Sequence, residues 1–272
     1  MSGPRCVDPD PDPVVRTFCA DGRDPPDTRI VVVAGTHGNE PAGAMLVTRW
    51  LVRFGHVLGS WLRPGVELVF VPALNPCGLQ DGVREAPGEI DLNRQYGLSA
   101  ARAGRRVQAV RALIEQGPRR TWVIDLHEGW GWAAEPGSRS MGSALYFGGG
   151  IEEGDDTHIR LDALLAVVNK YHQAANHGFP FLLRPDPPQG PRGTLGEWVA
   201  GLQNGTGYLL LETTGQNNIQ PLARRMAQVH TILRGLLVNV LGAADDRCRT
   251  CGHATFQDQG RGRAGFPPTP EG

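Results

Sequence analysis

The sequence predicts an α/β protein in which a mostly parallel sheet is covered by helices on both faces. Three observations carry this. Several short runs are apolar throughout, among them residues 30–34, 66–71 and 208–211, and lack the alternation of a half-exposed strand. Such runs belong to strands buried on both faces. Segments of helical periodicity separate them, the order expected of strand–helix–strand units. Finally, a chain of 272 residues is long enough for one large domain with a sizeable core.

In chain order, residues 1–28 are rich in Pro and Asp and read as a disordered leader, with a short edge strand at 14–19. The catalytic unit is expected over 29–242. Its first strand, Arg29–Ala34, runs into Gly35 and the sequence T-H-G-N-E, and Pro41 then opens a helix. A second buried strand covers 66–71. Asn75-Pro76 begins a long loop to Tyr96, which carries Arg84, Asp91, Asn93 and Arg94. A loop of about twenty residues inside a compact domain is usually functional or disordered, and its charged residues favour function. A helix follows at 101–116, a strand at 121–126 ending on His127, and another strand at 144–147. A helix covers 158–176, a proline-rich loop 180–191, and a short helix 195–202. The strand 208–212 (Y-L-L-L-E) and a long helix over 221–241 complete the unit. Residues 243–272 read as a disordered tail containing Cys248, Cys251 and His253.

Composition narrows the function. The formal net charge is −1, which offers no electrostatic case for nucleic acid or for a membrane surface. No run approaches the ~20 apolar residues of a membrane span. The first residues lack an apolar core of the kind a signal peptide needs, so a cytoplasmic protein is expected. Five cysteines, Cys6, Cys19, Cys77, Cys248 and Cys251, fit reduced thiols better than a disulfide framework.

Ligands of open α/β sheets bind beyond the carboxyl ends of the strands, and three strands here end on polar groups. His37 and Glu40 are three residues apart, a spacing that puts both on one side of a helical turn. A hydrolytic zinc site uses three protein ligands and one open position. His127 is the third candidate ligand, with Asp125 two residues earlier on the same strand face. Taken alone, H-x-x-E also occurs in ordinary turns; the downstream groups give it weight. Glu212 ends an apolar strand and suits a base beside an activated water. Arginine forks match carboxylates, so Arg84, Asn93 and Arg94 point to a substrate with a free carboxylate. Arg84 alternatively holds a developing oxyanion, and surface ion pairing is the plainer use of each arginine.

In order, G-T-H-G-N-E, N-P…R…D-L-N-R, D-L-H and L-E-T-T resemble the zinc carboxypeptidase superfamily, most closely its succinylglutamate desuccinylase/aspartoacylase branch. The motifs run from Gly35 to Gly215. The resemblance implies a three-layer α/β/α fold around a mixed, mostly parallel sheet. It implies one Zn²⁺ per chain on His37, Glu40 and His127, with Glu212 as general base and acid. Arg84 would stabilise the oxyanion, Asn93 and Arg94 would hold the substrate carboxylate, and Asp91 would hydrogen-bond a ligating histidine.

Two features depart from that branch. Its β-rich second domain has no counterpart after Glu212, which leaves a more open mouth expected, and no peptidase-type tyrosine stands well upstream of the base. Trp130, Trp132, Arg139 and Arg184 are loop residues available to line a pocket. The expected function is a zinc hydrolase of an amide or ester bond in a small carboxylate-bearing substrate such as an N-acyl amino acid. The alternatives are a carboxypeptidase acting on a peptide or cell-wall peptide, and a catalytically silent zinc protein that binds acidic ligands.

Overall fold

A computed structural model describes residues 12–20, 25–85, 88–186 and 192–244. Among them seven strands form one sheet. These are β1 (Arg16–Cys19), β2 (Thr28–Ala34), β3 (Val66–Val71), β4 (Arg120–Gly129), β5 (Ala144–Gly149), β6 (Leu182–Pro185) and β7 (Gly207–Thr214). Their order across the sheet is β1-β3-β2-β4-β7-β5-β6. β3, β2, β4 and β7 are mutually parallel, whereas β1 and β5 lie antiparallel to their inner neighbours. The expected mixed, mostly parallel α/β architecture is therefore present.

The continuous apolar runs explain the layers. In β2, Ile30, Val32 and Ala34 face one core, and Val31 and Val33 face the other. The first core is covered by α1 (Pro41–Phe54), α5 (Asp156–His172) and α7 (Leu222–Gly235), and the second by α4 (Arg105–Glu115) and α6 (Leu195–Leu202). Two short helices, α2 (Leu58–Trp61) and α3 (Pro76–Asp81), fill connections. Asn75 caps α3, its side chain accepting from the Gly78 backbone N–H at 2.9 Å. Beyond α7 the chain continues for one π turn, Leu236–Val240. No helix among the described residues is long and apolar enough to cross a membrane.

The edge strand expected at 14–19 is present as β1, which pairs with β3, and Phe18 meets Phe70 edge-on at 6.2 Å between ring centroids. Several boundaries differ from the sequence reading. The proline-rich loop at 180–191 contains β6, which pairs with β5 at the sheet's edge. A four-residue strand ending in Pro185 shows no periodicity to read, and an edge tolerates proline because one row of backbone groups needs no partner. The long loop at 75–96 is partly helical. Cys77 is buried and disulfide-bonded, which corrects the reading of five reduced thiols; an odd cysteine count does not exclude a single bridge. Cys6, Cys248, Cys251 and His253 lie outside the described residues.

The turn after β2 is packed too tightly for side chains. Gly35 has φ +64°, and a Cβ built on Gly38 would lie 1.8 Å from the backbone carbon of Gly78. Gly38→Ala should therefore lower stability by about 1–3 kcal/mol, measured by urea unfolding; wild-type stability would show that the turn can move.

Candidate metal centre

The site forms where β2, β4 and β7 end side by side. β2 delivers His37 and then Glu40, which stands at the N-cap of α1. Pro41 follows at the first helical position, where a missing N–H costs nothing. β4 carries His127, and the register sets His127 beside Glu212 of β7. His37, Glu40 and His127 are 3%, 2% and 4% exposed.

Donor atoms of these three residues converge. His37 Nδ1 lies 2.9 Å from Glu40 Oε1, and His127 Nδ1 lies 2.9 Å from Glu40 Oε2. The two Nδ1 atoms are 3.1 Å apart. On the far side of each ring stands a carboxylate: Asp91 Oδ1 is 3.1 Å from His37 Nε2, and Asp125 Oδ1 is 3.2 Å from His127 Nε2. Those carboxylates favour the proton on Nε2. Both Nδ1 lone pairs then point at one buried spot, together with a carboxylate. Three such donors repel one another unless a cation sits among them. A tetrahedral zinc ion with its usual bond lengths needs donors roughly 3.3 Å apart, so this set fits a metal ion.

The surroundings fix the charges. Burial pushes Glu40 upward, but the charge and hydrogen bonds of His127 and His37 outweigh it and hold Glu40 below the usual carboxylate range. Burial disfavours a charged His127, yet Asp125 and Glu40 raise its proton affinity well above that of an ordinary histidine. Asp91 is pushed upward by partial burial and pulled down further by His37 and Arg84, ending below its usual range. Burial lifts Glu212 well above the usual range; the charge of His127 opposes this, and those of Glu40 and Asp125 reinforce it. Among the described residues Glu212 Oε2 has no hydrogen-bond partner.

The loop residues divide. Arg84 donates to Asp91 Oδ2 at 2.9 Å and to Glu40 Oε1 at 3.3 Å, so it stands at the edge of the centre. Asp91 also caps a short 3₁₀ turn, Leu92–Arg94, accepting from the Asn93 N–H. Asn93 Oδ1 accepts from the Leu195 N–H at 2.9 Å, which ties this turn to the start of α6. Arg94 donates to the Asn93 carbonyl and not to any of the three converging residues. Trp132 is packing: it stacks on Phe179 and donates to Asn176. Trp130 and Arg139 are exposed, and Arg184 donates to the Ala133 carbonyl.

Three groups take places at the centre that the sequence did not assign: Gln216, Glu128 (legible only as a polar residue at a strand end) and Tyr208 (read only as a residue inside its strand). Gln216 donates to Glu40 Oε1 at 3.0 Å and to the Glu128 carbonyl at 2.8 Å. Glu128 is fully buried, pairs with Arg225 of α7 and accepts from the Ala42 N–H at 2.6 Å. Tyr208 donates to Asp125 Oδ2 at 3.1 Å. The first two rest on contacts spanning 88 and 97 residues, which no local pattern reports. Tyr208 meets Asp125 only because β7 pairs with β4, which the sequence does not report.

Residues 26–131 match the succinylglutamate desuccinylase/aspartoacylase catalytic domain. This is the family that the motifs resemble, and the matched stretch holds His37, Glu40, Arg84, Asp91 and His127. No curated protein sequence matches the chain. Among solved structures, tripeptide-bound cell shape determinant Csd4 from Helicobacter pylori superposes with a TM-score of 0.66 at 17% identity, over 84% of this chain and 55% of that one. The chain thus spans little more than half of Csd4. A metallo-carboxypeptidase from Burkholderia cenocepacia gives a TM-score of 0.53 at 18% identity, over 83% and 60% of the two chains. Bovine thrombin-activatable fibrinolysis inhibitor, in complex with tick carboxypeptidase inhibitor, gives 0.55 at 11% identity, over 79% and 82%. The fold is that of the metallocarboxypeptidases.

The depressed Asp91 carboxyl predicts a pH dependence. A carboxylate whose folded-state pKa lies below its unfolded value of 3.8 contributes stability that is full above that pH and lost as pH falls below it. In chelator, Asp91→Asn should be less stable than wild type at pH 7, with the difference shrinking below about pH 4. Urea unfolding at both pH values tests this; a pH-independent difference would contradict it.

Proposed function

We propose that this chain is a zinc-dependent hydrolase of an amide or ester bond in a small carboxylate-bearing substrate, such as an N-acyl amino acid. One observation carries the reading: the donors of His37, Glu40 and His127 converge, and an unpartnered buried Glu212 lies in register beside His127. When bound there, zinc supplies a polarised carbonyl and a water of lowered pKa.

The chain's own residues supply the rest. Glu212 takes the proton of the attacking water and gives it to the leaving amine. Burial raises its proton affinity above that of an ordinary carboxylate, the direction expected of a group that both takes and returns a proton. Arg84 stands at the rim, its side chain 35% exposed, and holds the developing oxyanion. Asn93 commits its oxygen to Leu195, which turns its amide N–H groups into the donors left for a substrate carboxylate. Arg94, in the same turn, adds a guanidinium fork.

A second reading, a carboxypeptidase, is favoured by the neighbours of this fold. Csd4 is a D,L-carboxypeptidase, solved with a tripeptide and with mDAP. Both readings share the metal, the base and a substrate carboxylate, and differ in what lies on the acyl side. A panel of N-acyl amino acids and short peptides separates them, with hydrolysis in either half abolished by chelator and restored by zinc. On the substrate that is cleaved, Glu212→Gln should keep stoichiometric zinc and lose turnover by about 10²–10⁴-fold. Full activity in that variant removes the base assignment. Stoichiometric zinc without hydrolysis across the panel would sink both readings.

A further inference from the structure

We infer that Gln216 is a positioning residue for Glu40, so that the turn after β7 sets metal affinity as well as following the base. The inference rests on the metal reading of His37, Glu40 and His127.

The Glu40 carboxylate makes five contacts. Oε1 faces His37 Nδ1, Arg84 Nη1 and Gln216 Nε2, and Oε2 faces His127 Nδ1 and the Glu128 N–H. Once the histidine Nδ1 lone pairs go to an ion, they can no longer receive or share a proton with Glu40. Three donors remain. Arg84 stands at the rim, 35% exposed, and makes its two shorter bonds to Asp91, leaving Glu40 the longest at 3.3 Å. The two inner donors are the Glu128 N–H, 3.1 Å from Oε2, and Gln216 Nε2, 3.0 Å from Oε1. Each carboxylate oxygen therefore has one inner donor.

Gln216 is suited to this by its amide. The two N–H bonds of Nε2 serve two acceptors, Glu40 Oε1 and the Glu128 carbonyl. The reverse amide orientation would set an oxygen against two oxygens, so the network fixes which atom is nitrogen. The Glu128 carbonyl belongs to β4, one residue after His127. Gln216 thus ties one ligand, Glu40, to the strand that carries another. Groups that orient metal ligands typically change metal affinity by 10–100-fold when lost. A buried ligand oxygen with one donor fewer is also free to rotate out of the set.

The test compares the full-length wild type with Gln216→Leu and Gln216→Glu. Zinc affinity is read by competition with a chromophoric chelator, and thermal unfolding is followed in zinc-free protein. Gln216→Leu should bind zinc about 10–100-fold more weakly, with a zinc-free unfolding temperature close to wild type. Gln216→Glu keeps the shape but replaces the donor with an acceptor, and should lose at least as much affinity. If the residue only fills space, the isosteric variant keeps its zinc and the inference falls. Wild-type affinity in both variants overturns the inference and leaves the metal reading standing. A wild-type chain that takes up no zinc overturns both.

Discussion

The carboxylate of Glu40 is the point on which the site depends. It is buried at 2% exposure, and its proton affinity is held low by two histidines. A buried carboxylate costs several kcal/mol unless every lone pair is met. Here the partners arrive from four parts of the chain: the turn after β2, the end of β4, the loop carrying Arg84, and the turn after β7. None of these can shift far without leaving a charge unsatisfied. The same need explains the tight glycine turn and the capping position of Glu40, which aim the side chain inward at the start of α1.

The sheet makes this convergence possible. β2, β4 and β7 are parallel neighbours, so their carboxyl ends share one edge. Their middles are apolar on both faces and anchor the strands in two cores. Polar chemistry is left to the ends, where loops can supply it without opening the core. The buried Glu128–Arg225 pair ties the end of β4 to α7, and the Glu128 bond to the Ala42 N–H ties it to α1. Losing one member of such a pair is far costlier than the pair itself is worth, so it fixes geometry more than it adds stability.

Fold likeness to metallocarboxypeptidases does not choose a substrate, because this architecture hosts more than one hydrolysis. The match over residues 26–131 covers the two candidate ligands after β2, His127, Arg84 and Asp91. Glu212 and Gln216 lie beyond it. Their placement comes from the pairing of β7 with β4, which is a property of the sheet and not of any motif.

Much was legible in the sequence for a physical reason. Strands buried on both faces must be continuously apolar, so β2, β3, β4 and β7 announced themselves, and metal-ligand chemistry restricts residue types enough to single out His37, Glu40 and His127. β6 was not legible, because four edge residues ending in proline carry no period. Gln216, Arg225 and Tyr208 were not either, since a glutamine, an arginine on a helix and a tyrosine in a strand are ordinary at those positions. The chain by itself determined which strands are buried and which residue types could bind a metal. Only the tertiary structure decided that Glu212 stands beside His127 and that Gln216 reaches Glu40, because strand register and contacts across 88 or 176 residues are set by packing and not by local sequence.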